Sequence, residues 1–161
     1  MTQTKTSKLL IMAAFIMLGT LQNTAIAENT QYYGSPDLVA AVAGPWATHE
    51  GGEVSFHPCG NTLCGTVTTL RPADAIKQPV DQNNPDPALR DRPLLGLTMF
   101  TGLTADSDGK WTDGALYNSE TGKTYRSKIR LNEDGTLKIS GCISFICKSF
   151  DWQKVKDPSH E

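Results

Sequence analysis

Apolar and polar residues alternate in short runs along most of this chain. Residues 53–57 (EVSFH) alternate strictly, and 63–70 (LCGTVTTL) are rich in β-branched side chains. Residues 94–100, 115–117, 124–131, 136–139 and 150–155 have the same short, extended character. Turn formers separate the runs: Asn61-Thr62, Asp108-Gly109, Glu120-Thr121-Gly122 and Asp134-Gly135. An Asp-Gly pair between alternating apolar residues marks a hairpin, because glycine takes positive φ with no Cβ to clash. Short strands joined by tight turns predict an all-β fold, an antiparallel meander that closes into a barrel or sandwich. One short helix precedes them. Ser35 supplies a cap, Pro36 suits the first helical position, and 37–43 (DLVAAVA) run on to Gly44.

Two stretches break the alternation. Residues 9–18 (LLIMAAFIML) are continuously apolar, follow Lys5 and Lys8, and precede Ala25-Ile26-Ala27. That order predicts a secretory signal peptide over 1–27. The apolar run falls short of the ~20 residues a spanning helix needs. No cysteine follows it to take a lipid, and no later segment is apolar enough to span a membrane. The expected mature chain is then 28–161, a single domain long enough to bury a core, periplasmic or secreted. The second stretch is 71–92 (RPADAIKQPVDQNNPDPALRDR), with four prolines and no strand period. A connection of this length in a compact domain is uncommon and often functional.

Charge removes some classes of partner from the picture. The formal net charge is −2, and loss of Lys5 and Lys8 moves it to −4. No charge block stands out, and this balance gives no reason to seek nucleic acid or an anionic membrane surface.

The four cysteines are Cys59, Cys64, Cys142 and Cys147, each pair five positions apart. Behind an export signal they predict two disulfides. Residues 58–64 read as strand, four-residue turn, strand, with Cys59 and Cys64 facing each other across the hairpin. Geometry favours this local pairing, although four cysteines allow three connectivities. C-x4-C spacing is loose for zinc, and no C-x-x-C redox pair is present. Between Cys142 and Cys147 lie Ile143, Ser144, Phe145 and Ile146, three of them apolar. The expectation is that this segment folds over one end of the core; the alternative is an apolar contact patch.

The motifs along the chain resemble a known family. Gly44-Pro45-Trp46 is similar to the G-x-W signature of lipocalin-type barrels. A broader resemblance is to a family of exported bacterial proteins, domain of unknown function 2147. It is carried by L-C-G-x-V at 63–67, N-N-P-D-P-x-L-R-x-R-P-L-L-G-L at 83–97 and W-x-x-G-x-x-Y-N at 111–118. G-K-x-Y at 122–125, Gly141-Cys142 and Trp152 complete it. The resemblance implies a small antiparallel lipocalin-like β-barrel with one short N-terminal helix, and it implies no activity. The family tends to end W-x-R, whereas Trp152 is followed here by Gln153 and Lys154. A lysine cannot stack flat on a tryptophan as an arginine does, so the packing that closes the barrel is expected to differ.

No catalytic constellation stands out. His49, His57 and His160 have no ligand spacing, and the serines lack a nucleophile elbow. Residues 106–109 (DSDG) read as a hairpin turn, not a calcium loop. The polar and aromatic cluster Asn83, Asn84, Asp86, Arg90, Arg92, Trp111, Tyr117 and Tyr125 remains. If the 71–92 loop folds against the barrel mouth, Asn84, Asp86, Arg90, Arg92, Trp111, Tyr117 and Tyr125 would meet a ligand. The opposing reading pairs Arg90 and Arg92 with Asp86 and Asp91 and buries the aromatics, because an eight-stranded barrel can be filled by its own side chains. The functional expectation is a non-enzymatic binding protein for a small, partly apolar ligand, with no cofactor or metal. The alternative is an interaction module for an envelope protein, built on the 71–92 loop and the 143–146 turn.

Overall fold

In the computed structural model, residues 36–77 and 79–156 are described. The export signal, Ser35 and His160 lie outside the described residues. Helix α1 (Pro36–Val42) leads into β1 (Gly44–Ala47), β2 (Glu53–Cys59) and β3 (Thr62–Thr69). A long connection containing α2 (Pro72–Lys77) and a single 3-10 turn (Pro87–Leu89) follows. Then come β4 (Thr98–Ala105), β5 (Lys110–Asn118), β6 (Lys123–Leu131), β7 (Leu137–Ile143) and β8 (Ile146–Lys154). Each strand pairs antiparallel with its sequence neighbour, and β8 returns to β1, so the sheet is a closed eight-stranded barrel. Closure removes both sheet edges, which would otherwise expose unpaired backbone groups.

The period-two pattern fills the interior from the strands. Val54, Phe56, Leu63, Phe100, Leu103, Trp111, Ile129, Leu137 and Ile139 are all buried. Gly65 is needed where β3 passes these rings. A Cβ there would lie 2.8 Å from Phe100 Cδ2 and 2.9 Å from Phe56 Cε1. Helix α1 closes one end: Val42 is buried, and the Trp46 indole N–H donates to its carbonyl at 2.8 Å. Lys154 sits on the other side of that tryptophan, its Nζ 4.6 Å from the ring centroid, and donates to the Ala43 carbonyl. The lysine therefore closes the barrel through a point-charge contact where an arginine would stack.

Up-and-down topology puts alternate turns at opposite ends. The helix end holds the β2–β3, β4–β5 and β6–β7 turns; Leu38 lies at the β4–β5 turn, 3.2 Å from where a Cβ on Gly109 would be. The other end holds residues 48–52, the β3–β4 connection, the β5–β6 hairpin and the β7–β8 hairpin.

Four expectations are corrected by this arrangement. The β2–β3 turn has two residues, Gly60 and Asn61, not four. Cys59 lies opposite Thr62 and Cys64 opposite His57, so the Cys59–Cys64 bridge runs diagonally, with Cα atoms 5.8 Å apart. Cys142 and Cys147 are directly opposite, Cα to Cα 4.0 Å. The strand expected over 94–100 starts at Thr98, because Leu94 and Leu97 are buried as anchors of the long connection. That connection is not structureless: it holds α2, the 3-10 turn and a bridge between Val80 and Pro93. Finally, the 143–146 tip does not fold over the core. Ile143 is 65 %, Phe145 89 % and Ile146 69 % exposed, since a two-residue turn on a long hairpin carries its tip past the barrel rim.

Among the described residues no helix is long and apolar enough to cross a membrane.

Candidate ligand-binding cavity

The barrel is not filled to its open end. A cavity of about 630 Å³ enters from the end opposite α1, within the size range of small-molecule sites. Inward positions of the strands make its wall: Val54, Val67, Phe100, Leu116, Ile139 and Trp152. The lining is mainly apolar because these are the same period-two rows that pack the closed half, continued to where no helix plugs them.

The rim is charged. Arg71 leaves the end of β3 and binds Asp74 twice, Nε to Oδ2 at 2.6 Å and Nη2 to Oδ1 at 2.9 Å. Its Nη1 reaches Glu120 Oε1 at 2.7 Å and also Glu50. One guanidinium thus ties α2, the 48–52 loop and the β5–β6 hairpin together across the mouth. The Asp74 hydrogen bond, against the opposing effect of burial and with help from Glu50 and Glu120, raises the Arg71 pKa above its ordinary value. Beside Glu50, His49 stacks on Phe150, centroids 4.0 Å apart and planes 9° from parallel. Lys148 Nζ lies 4.8 Å from the centroid of the same Phe150 ring.

Of the seven residues expected to meet a ligand, Tyr125 lines this cavity. Trp111 is buried in the core among the residues of the closed half. Asn84, Asp86, Arg90, Arg92 and Tyr117 belong to a network that fastens the long connection to the outer wall. At its centre is Asp81, with no solvent exposure. Asp81 accepts from Asn84 Nδ2 at 2.7 Å, the Tyr117 hydroxyl at 2.7 Å and Arg92 Nε at 2.8 Å. Arg92 also lies over the Tyr117 ring, 5.3 Å from its centroid. Arg90 Nε donates to the Asn84 carbonyl at 2.9 Å, and Asp86 caps the 3-10 turn by accepting from Ala88 N. The expected pairing of both arginines with Asp86 and Asp91 is therefore replaced: Arg92 pairs with Asp81, a residue that sequence reasoning passed over, and Arg90 with the Asn84 carbonyl. Asn83 completes the seam by donating to the carbonyls of Ser119 and Glu120 at 3.2 and 3.0 Å. Gly122 is required beneath it, because a Cβ there would come 1.9 Å from the Asn83 oxygen.

The residues missed by sequence reasoning are Arg71, Glu50, His49, Lys148 and Phe150. A partial signal existed: 146, 148, 150 and 152 share one face of β8 at period two, and only the last two of them read as core. His49 and His57 do not pair. His49 is at the mouth, and His57 bonds Thr66 Oγ1 at 2.9 Å from β2. No group of three His, Cys, Asp or Glu able to hold a metal occurs among the described residues. Three buried polar atoms have no partner there either: Trp111 Nε1, Ser127 Oγ and Trp152 Nε1.

A closed eight-stranded antiparallel barrel, plugged by a helix at one end and hollow at the other, is a lipocalin-like fold. The chain belongs to the family described as "Uncharacterized protein conserved in bacteria (DUF2147)", whose model matches residues 44–154. It is similar to the solved structure of protein HP1028 from Helicobacter pylori, described as belonging to the lipocalin family. The two are 22 % identical with a TM-score of 0.64, over 73 % of this chain and 85 % of that one. At this identity the likeness concerns the fold. No curated protein matches the chain.

Proposed function

We propose that this is an exported, non-enzymatic binding protein that holds a small, partly apolar ligand in its barrel. The observation that carries the reading is the open cavity, apolar in depth and charged at the rim. Burial of apolar ligand surface there contributes about 25 cal/mol per Å², and rim groups would orient a polar end. Tyr125 and Trp152 are the ring contacts proposed for the ligand. Export is supported by the 1–27 signal pattern and by two disulfides, which persist in oxidising compartments.

The competing reading, an interaction module, draws on the exposed 143–146 tip. It draws less on the 71–92 loop, whose polar groups are engaged in fastening that loop to the barrel.

Native mass spectrometry of protein taken from the oxidising compartment tests the proposal, beside the same sample denatured without reductant. The expected result is extra mass in the native spectrum alone, and its reduction in Val67→Phe, which sets a ring into the cavity. A bare native mass, together with Trp152 emission unmoved by titration with apolar dyes, would count against a binding barrel.

A further inference from the structure

The charge of this protein is divided by the fold. Residues 123–154, which form β6, β7 and β8, carry seven Lys and Arg against three Asp and Glu. Residues 36–122 carry five against eleven. The barrel thus has a wall of charge +4 beside a remainder of −6, a separation that the overall balance conceals. Composition alone gave no reason to expect an anionic surface as partner; the distribution in space does.

Four of the seven basic side chains share the outer face of that wall; Lys148 stands at the cavity mouth and Lys154 at the helix end. Ser127 and Ile129 of β6, and Leu137 and Ile139 of β7, point inward and are buried. Arg126, Lys128, Arg130 and Lys138 therefore point out. Arg130 lies directly opposite Lys138, and Lys128 opposite Ser140. Like charges facing each other across strands are unfavourable. The acid on this face is Asp151, opposite Lys138; Glu133 and Asp134 lie in the β6–β7 turn at the helix end. The same wall ends in the exposed Ile143, Phe145 and Ile146, held out on a hairpin bridged by Cys142–Cys147. Arg126 Nη2 donates to the Ser144 carbonyl, so a cation sits at the base of the apolar tip.

We propose that this wall docks on an anionic lipid bilayer surface, with the 143–146 tip entering the headgroup layer. Exposed apolar side chains mark interaction sites, and near an anionic leaflet each added Lys or Arg strengthens attraction. A protruding aliphatic and aromatic tip flanked by cations suits a soft, negatively charged surface. It offers neither the broad flat patch of a protein contact nor a run of rings for stacking bases. The proposal does not rest on the cavity reading, although Ile143 and Ile146 also stand at the cavity mouth, so docking would turn that mouth toward lipid.

Co-sedimentation of the disulfide-bonded protein with vesicles tests it. Vesicles of phosphatidylcholine containing phosphatidylglycerol should retain the protein, and vesicles of phosphatidylcholine alone should not. Raised salt should weaken retention. Lys128→Gln and Arg130→Gln should each lower the partition coefficient about fivefold, while urea midpoints stay level or rise as the Arg130–Lys138 repulsion is relieved. Phe145→Ser should lose tip insertion, and Phe145→Trp should show blue-shifted emission on anionic vesicles. Val67→Phe, which narrows the cavity, should bind vesicles normally, so failure of the two readings can be told apart. No retention by anionic vesicles, or retention indifferent to Phe145→Ser and to the charge variants, overturns the proposal.

Discussion

Tyr117 shows how much a single outward-facing residue decides. Its hydroxyl donates to Asp81 at 2.7 Å, and its ring lies beneath Arg92. Burial first, and then the hydrogen bond and charge of Asp81, push its pKa above the ordinary 10.0, with Arg92 opposing. A folded-state pKa above the unfolded value means a contribution present in full below pH 10.0 and lost as pH rises through the folded value. Urea midpoints between pH 8 and 11.5 should therefore fall more steeply for the wild type than for Tyr117→Phe. Lys154 acts with the opposite sign, because burial lowers its pKa from 10.5; it is common to both proteins and cancels in the comparison. Parallel profiles for the two would show that the Tyr117–Asp81 contact does not couple to folding. The sequence put Tyr117 and Arg92 in one cluster but assigned them to a ligand. It could not do better, since their partner Asp81 is an unremarkable acid whose burial depends on where the long connection lies down.

At the scale of the element, the hairpins were the most legible part of the chain. Alternation and turn formers located four of the seven connections between strands, and the local disulfide pairing followed from hairpin geometry. Registers were not legible: a turn two residues shorter than expected moved Cys59 from facing Cys64 to facing Thr62. Each bridge closes a six-residue loop, for which the chain-entropy model gives about 2 kcal/mol. Replacing Cys142 and Cys147 together by Ser should lower the free energy of unfolding by about that amount. Hydrogen exchange should rise in β7 and β8 near the tip and stay unchanged in β2 and β3. Equal protection in wild type and variant would mean that the β7–β8 ladder alone orders the tip.

Across the whole molecule, the mouth depends on residues far apart in the chain. Arg71 holds Glu50, Asp74 and Glu120 together. Glu50 and Glu120 are substantially exposed, but the two-bond contact with Asp74 is largely shielded from solvent, so Arg71→Gln should lower stability by about 1–3 kcal/mol. On the binding reading its larger effect is on exchange: three carboxylates left at the rim should repel one another, open the mouth and speed release of a captured apolar dye. An unchanged release rate measured by stopped flow would show that the rim network does not gate the cavity. The basic wall belongs to this scale too, because the pairing of β6 with β7 and of β7 with β8 gathers its cations on one surface.

The chain by itself determined its strands, its short helix, its hairpins and its family, because these depend on neighbours two to five positions apart and on turn residues with local φ requirements. Tertiary structure alone decided that the barrel stays hollow at one end, that Asp81 and not Asp86 or Asp91 receives Arg92, and that the 143–146 tip stands clear of the core. Each of these turns on how distant segments meet: whether inward side chains fill a volume, whether a loop crosses a given wall, and how far a hairpin outruns the rim. No period or motif within one segment contains that information.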